Sequence, residues 1–317
     1  MLSMTRMQEL SMSFSHTPVL LDEILELLRE LNPRLVIDCT LGGAGHARAI
    51  LEQCPLAHLI GLDRDADACS AARANLSDFA DRSTVLQERF SAVADVLQGS
   101  GHSGADAILV DLGVSSHQLD KAERGFAFRF DGPLDMRMNQ SIGRSAAQLI
   151  DELSEDALRE VIRDYGEERH ARAIARTLKR EVPQTTSALA NIVRAIVPQG
   201  KSKVDPATRT FQGLRIQVNQ EMSELEEWLG VVPEVLNPGG LVLAIAYHSL
   251  EDRPVKRAFR QYAKGCICPA NLPACACGIT PTLKLVTRKP IRPSDEEISR
   301  NPRARSAKLR VAKRLGD

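Results

Sequence analysis

Aromatic side chains are scarce in this sequence: one Trp, three Tyr and eight Phe among 317 residues. Its core must therefore be mainly aliphatic. Long hydrophobic runs are also missing. The longest apolar run, Leu241 to Tyr247, is far too short to span a bilayer, and residues 1–15 lack the apolar stretch of a secretory signal. The expectation is a cytoplasmic protein with no membrane partner and with residues 1–15 disordered. Net charge is absent as well, since 41 Lys and Arg balance 41 Asp and Glu. The balance is uneven, however: residues 284–314 hold eleven Lys and Arg against Asp295, Glu296 and Glu297. That segment reads either as a contact for a polyanion or as a solvated tail, and charge alone does not choose.

What is present is an alternation of strands and helices. Pro18 followed by Val19, Leu20, Ile24, Leu27, Leu28 and Leu31 predicts a helix capped by Thr17. Strands are predicted at 35–39, 58–63, 83–86 and 105–111, with helices after the first two. Such βαβ units imply an α/β fold with a parallel sheet. From about 140 to 230 helical patterns take over, with Ser154, Ser187 and Asp205-Pro206 as starts and Gly166 as a stop. The sheet resumes at 241–247 after Asn237-Pro-Gly-Gly240. Ser249 with Asp252 then reads as a capping box, and the last strands fall near 283–286 and 308–311.

In an open parallel sheet ligands bind at the carboxyl ends of the strands, and three such ends carry suggestive residues. Gly42, Gly43, Ala44, Gly45 and His46 form a turn where missing side chains allow close approach to backbone, and the following helix offers free N–H donors. Asp63, about twenty residues on, suits the hydroxyls of a ribose. Asp111 ends the fourth strand beside Leu112-Gly-Val-Ser-Ser116. Each carboxylate taken singly is equally well a cap or a surface charge. A nicotinamide enzyme would share the first two features, but its fingerprint G-x-G-x-x-[GA] fails at Arg48 counted from Gly43 and at Ala44 counted from Gly42.

The residues resemble a known family over nearly the whole chain, from His16 to about Arg314. The matching stretches are HTPVLLDEIL at 16–25, the glycine turn at 42–46, DLGVSSHQLD at 111–120 and ERGFAFRFDGPLDMRM at 123–138, followed by YGEERHARAIA at 165–175, DPATRTFQGLRIQVN at 205–219, YHSLEDRPVK at 247–256 and NPRARSAKLR at 301–310. Their order is similar to that of the bacterial cytosine-N4 methyltransferases of small-subunit ribosomal RNA, the MraW type. The resemblance implies a Rossmann-like class I methyltransferase with a mostly helical insertion, residues 16–132 and 213–317 forming the methyltransferase domain and 133–212 the insertion. It implies S-adenosylmethionine as methyl donor and ribosomal RNA, within the small ribosomal subunit, as partner; a homodimer is left open. Carried over by position, the cofactor contacts are Gly42, Gly43, Ala44, Gly45, His46, Asp63, Phe90, Asp111 and Gln118. Three residues depart from the pattern: Ala44 where glycine is expected, His117 where proline is usual, and Tyr247 where phenylalanine is commoner. The methyl group of Ala44 is tolerable if its φ is negative.

The lone pair of a cytosine N4 amine is delocalised into the ring, so acceptors for its hydrogens would help a transfer whose methyl group is already activated. Asp111 and Ser115, in the loop after the fourth strand, and His248, at the end of the strand from Leu241, are the candidate catalytic residues. His248 reads equally well as a capping or core histidine. Phe126, Phe128 and Phe130 alternate around Arg129; in an extended segment the rings would share one face, to stack a base turned out of RNA or to seal the insertion. Arg209, Arg215 and the basic C-terminal segment are candidate phosphate contacts.

Seven cysteines without a secretory leader argue against a disulfide framework. Cys266-x-Cys268 and Cys275-x-Cys277 place four thiols within twelve residues, beside Pro269 and Pro273. They suggest a structural zinc site, although the pairs are tighter than the usual C-x-x-C, and zinc binding is left open. Cys39, Cys54 and Cys69 read as small buried residues. Two other functions stay in view: a methyltransferase acting on DNA or a protein side chain, and a non-catalytic RNA-binding protein that kept the fold.

Overall fold

A computed structural model describes residues 18–199, 204–268 and 277–316. The expected disorder of residues 1–15, the cap at Thr17, and Pro269, Pro273 and Cys275 lie outside the described residues. The chain divides into two compact units, Met1–Gly113 with Ser223–Asp317, and Val114–Met222. No helix among the described residues is long and apolar enough to cross a membrane.

The first unit opens with helix α1 (Leu21–Leu31), which starts after Leu20 in the left-handed region at φ 56°. The Leu20 N–H donates to Glu297 Oε1 at 2.8 Å. There follow β1 (Leu35–Asp38), α2 (Gly45–Gln53), β2 (His58–Asp63), α3 (Ala66–Asn75), β3 (Ser83–Gln87), α4 (Val93–Gly99) and β4 (Ala105–Asp111). All four residues of β1 are buried, as are the middle four of β2. That continuous pattern marks strands covered on both faces.

The second unit interrupts the chain here. It contains α5 (Ser116–Asp120), α6 (Ala146–Glu152), α7 (Glu155–Asp164), α8 (Ala171–Arg180), α9 (Thr186–Ile196) and α10 (Ala207–Asn219). Side-chain caps at Ser115, Ser145, Ser154 and Thr185 start four of these helices, each satisfying an otherwise orphaned N–H for about 1 kcal/mol. Thr185, not Ser187, is therefore the start of α9. The unit is larger than the 133–212 segment expected from sequence. Phe126 before it and Leu214 after it share one core with Leu134, Ile150, Ile162 and Leu178, and the compact unit runs from 114 to 222. Gly166 does stop α7 and also permits close packing: a Cβ there would lie 2.5 Å from Ile162 O and 2.6 Å from Arg209 O.

The chain then runs through α11 (Glu221–Val235) into β5 (Leu236–Ala246), α12 (Ser249–Lys264), β6 (Leu283–Leu285), α13 (Asp295–Arg300) and β7 (Lys308–Arg314). The seven-stranded sheet has the order β3-β2-β1-β4-β5-β7-β6. Strands β1 to β5 pair in parallel, and β7 runs antiparallel to both β5 and β6. Order reverses between β1 and β4, which places the switch point beside Asp38 and Asp111. One aliphatic cluster joins α1 (Ile24, Leu28), β1 (Val36), β4 (Leu109), β5 (Leu243) and β7 (Leu309, Val311). Burying one such side chain is worth roughly 1.5–3 kcal/mol.

At the amino ends of the strands a single carboxylate ties three of them. Asp106 Oδ2 accepts from the Arg34 and Leu35 N–H groups at 2.8 and 3.0 Å, and its Oδ1 accepts from Asn237 Nδ2 at 2.8 Å. Burial alone would raise this carboxyl; the bonds from Asn237, Arg34 and Leu35 outweigh it and hold Asp106 below the ordinary value.

Candidate active site

The carboxyl ends of β1, β2, β4 and β5 are built differently. Parallel register sets Asp38 opposite Gly61 on one side and Leu109 on the other, and Asp111 opposite Ile245. Three carboxylates thus end neighbouring strands around the glycine turn. Asp63 organises that turn: its Oδ2 accepts from Gly42 N–H at 2.8 Å and its Oδ1 from Asp65 N–H at 2.8 Å. Gly42 takes φ 52°, a conformation that favours glycine. Asn75 Nδ2 holds the Gly43 carbonyl at 2.8 Å.

Ala44 does not have the negative φ that its methyl group calls for. It sits at φ 65°, ψ 28° as the residue before α2, fully buried. The turn needs the left-handed geometry to enter the helix, and an L-residue there costs about 1–2 kcal/mol. Ala44, the residue before α2, supplies no side-chain cap, and the leading N–H groups of a helix favour an anion placed before them. His46, one residue into α2, is buried, and its Nε2 lies 2.9 Å from Val19 O. This contact ties α2 to the segment before α1.

The three acids are poised near neutrality. Burial raises Asp38 to about 7 against a bond from Thr40 N–H, with Asp63 adding to the rise. Burial also raises Asp63 to about 6, although the Asp65 and Gly42 N–H bonds oppose it. Asp111 goes to about 7, again mainly by burial, with Tyr247 pulling it down and Asp38 and Glu251 pushing it up. The Tyr247 hydroxyl donates to Asp111 Oδ1 at 2.8 Å, and the Asp111 N–H donates to Thr40 Oγ1 at 2.6 Å. Tyr247, the residue where phenylalanine is commoner, is thus joined to the acid of the predicted catalytic loop.

Beyond β5 the helix cap falls one residue earlier than the sequence suggested. His248, not Ser249, precedes α12, and its partner three residues on is Glu251, not Asp252. Glu251 is buried; its Oε2 accepts from the Tyr247 and His248 N–H groups at 2.8 and 3.3 Å, and its Oε1 lies 2.9 Å from His248 Nε2. Asp252 instead takes Arg310 at 2.7 and 3.1 Å and Lys308 at 3.6 Å, which neutralises part of the basic C-terminal excess. Phe90 lies half-buried beside β3, edge-on to the buried Trp228 with ring centroids 6.4 Å apart. Nearby, Arg64 pairs with the buried Glu224 at 2.7 Å.

Ser115 and Gln118 belong to the second unit, where they form a capping box for α5. Ser115 Oγ accepts from Gln118 N–H at 3.2 Å, while Gln118 Oε1 accepts from Ser115 N–H at 3.1 Å. In the same unit the three phenylalanines do not share a face, because the segment is not a strand. Phe126 is buried, Phe128 packs on Phe211 at 4.8 Å, and Phe130 is exposed beneath the Arg129 guanidinium at 5.1 Å. Arg215 pairs with Glu221 through two bonds of 2.8 and 2.7 Å, whereas Arg209 is exposed.

Sequence reasoning missed Asp38, Thr40 and Glu251. Asp38 carried the same signal as Asp63 and Asp111, an acid terminating an apolar strand, but the strand was read through to Cys39. Nothing in the sequence pointed to Glu251 as the partner of His248 beyond the three-residue spacing.

A parallel sheet with this order, a glycine turn and acids at its strand ends defines a Rossmann-like nucleotide-binding enzyme. The chain belongs to the MraW methylase family, which it matches over residues 13–315. It is 48% identical over 311 residues to the ribosomal RNA small subunit methyltransferase H of Geobacter sulfurreducens, covering 96% of this chain and 100% of that protein. With the protein of the same name from Heliobacterium modesticaldum it shares 46% over 312 residues, again 96% and 100%. Among solved structures, an O-methyltransferase from Bacillus cereus in complex with SAH aligns with a TM-score of 0.44 at 7% identity, over 96% of this chain and 83% of that one.

Proposed function

We propose that this protein transfers the methyl group of S-adenosylmethionine to the exocyclic N4 amine of a cytidine in small-subunit ribosomal RNA, acting on the assembled subunit. The observation that carries the reading is the set of strand-end acids, Asp38, Asp63 and Asp111, around the glycine turn that leads into α2, in a chain nearly half identical to named ribosomal RNA methyltransferases.

The residues fit the cofactor. Each oxygen of Asp63 accepts one backbone N–H and keeps a lone pair for a ribose hydroxyl. The leading N–H groups of α2 suit the amino-acid carboxylate, and the Phe90 ring offers a face for adenine. Bound S-adenosylmethionine supplies a methyl group already activated on a sulfonium cation. Asp38 and Asp111 are the groups whose ionised forms that positive charge would favour.

Asp111 is the proton acceptor in this reading. Near neutral pH it divides between its two forms, the condition under which a base is most effective. Tyr247 holds its orientation through Oδ1, which leaves Oδ2 to face the amine. Ser115 and His248 shape the loops after β4 and β5 through their caps, and Phe130 with Arg129 offers a stacking surface for RNA.

The test is transfer of labelled methyl from S-adenosylmethionine to small ribosomal subunits lacking the modification, followed by digestion and mass analysis of the nucleosides. Appearance of N4-methylcytidine supports the cofactor, substrate and atom together. Binding of S-adenosylmethionine with no label in the RNA would overturn the substrate assignment.

A further inference from the structure

The cysteines fall into two groups with different surroundings. Cys39, Cys54 and Cys69 are buried in the core, and burial pushes each thiol up; they pack as small hydrophobes. Cys266, Cys268 and Cys277 are only half-buried, where a small apolar side chain gains little, yet their Sγ atoms all lie within 4.8 Å of one another. Residues nine to eleven positions apart are brought back to a two-residue thiol pair, and the framework around them is fixed. Gly265 ends α12 at φ 70°, where a Cβ would lie 2.5 Å from Pro281 N. The Thr282 N–H donates to Tyr262 O at 3.0 Å. The end of α12 and the start of β6 are therefore held side by side, with the thiols in the loop between them. Gly278, next to Cys277, takes φ 66°.

From this geometry we infer that Cys266, Cys268 and Cys277 bind a zinc ion as thiolates, forming a structural site that joins the residues after α12 to those that lead into β6. Zinc–sulfur bonds of about 2.3 Å in a tetrahedron set sulfurs about 3.8 Å apart. Sulfurs already within 4.8 Å need to close by about 1 Å at most to reach that spacing. Three thiols give up three protons to the solvent as the ion binds, with no change of oxidation state. Soft thiolates select zinc over the hard cations. Cys275 lies outside the described residues, and the three thiolates leave the fourth coordination position for one further ligand. The site lies apart in sequence from the strand-end acids, and its role is to hold the fold, not to react.

The experiment uses the full chain, purified without a metal-affinity tag, fully reduced, offered zinc and then dialysed. Elemental analysis should find about one zinc per chain, and thiol titration should show three thiols that become reactive only after a chelator is added. Cobalt in place of zinc should give thiolate-to-metal charge-transfer absorption. Cys266→Ser and Cys277→Ser should each lose retained zinc, and a variant that fails to fold leaves the cobalt spectrum of the unsubstituted chain to decide. The inference is overturned if the reduced chain retains no zinc, if cobalt gives no thiolate band, or if both variants keep zinc in full. None of these readouts depends on methyl transfer.

Discussion

Replacement of Asp38 by Asn tests whether the strand-end acids oppose folding at neutral pH. In the folded protein Asp38 ionises near 7, whereas an ordinary aspartate does so near 3.8. The folded chain therefore holds an extra proton between those values. Stability is complete below about pH 4, falls as pH rises toward 7, and is level above that. A gap of about three pH units at about 1.36 kcal/mol each gives a ceiling of ~4 kcal/mol. Part of that is shared with the neighbouring acids, since Asp63 raises Asp38 and Asp38 in turn raises Asp111. The substituted amide keeps an acceptor for the Thr40 N–H, which donates to Asp38 Oδ1 at 3.1 Å, but buries an NH2 group at a cost of about 1–3 kcal/mol. Asp38→Asn should stabilise the protein by roughly 1–3 kcal/mol at pH 8 and destabilise it by up to about 2 kcal/mol near pH 4.5. The amide cost cancels in the difference between the two pH values, which should be about 3 kcal/mol, read by urea denaturation at each pH with matched m-values. Parallel pH–stability curves for the two proteins, within about 0.5 kcal/mol, would refute the reasoning.

Asp111→Ala should abolish methyl transfer with the fold intact, a loss on the order of 10²–10⁴ in kcat if it serves as the base; full activity with an unchanged circular dichroism spectrum would remove it from the reaction. Tyr247→Phe should leave transfer active. Because the lost hydroxyl bond lowers Asp111, the acidic limb of the pH–rate profile should move to higher pH, and an unmoved limb would mean that Asp111 is not the titrating group. Ala44→Gly should change stability by less than about 1 kcal/mol. Relief of the left-handed strain, about 1–2 kcal/mol, opposes the loss of a buried methyl, ~0.8 kcal/mol, and the greater freedom of unfolded glycine, roughly 0.5–1 kcal/mol. A thermal-melt difference equivalent to more than about 2 kcal/mol in either direction would show that the methyl or the strain has been misjudged.

Strands β1, β2, β4 and β5 were legible because buried parallel strands are written as unbroken apolar runs, and the acids that end β2 and β4 stand out against them. The edges of the second unit were less legible. Phe126 and Leu214 lie outside the 133–212 segment that the family resemblance implied, and tertiary packing joins them to its core. Local rules also competed at α12: Ser249 with Asp252 and His248 with Glu251 have the same spacing, and the decision rests on which acid Arg310 captures, a pairing 58 residues away. The left-handed Ala44 was not legible, since alanine carries no preference for that conformation; the expectation of glycine was the better guide to the backbone. The roles expected of Ser115, Gln118 and His248 rest on functional chemistry, while the geometry adds that all three cap helices.

The two rims of the parallel sheet titrate in sequence. On acidification the rim that carries Asp38, Asp63 and Asp111 loses its charge first, around 7 and 6. The rim fastened by Asp106 keeps its charge until below 3.8. Mild acid therefore discharges the ligand end while the opposite end still clamps three strands. Affinity for a cationic ligand should fade several pH units before the sheet comes apart, so that brief exposure to such acid silences the protein reversibly, and returning to neutrality restores it without refolding.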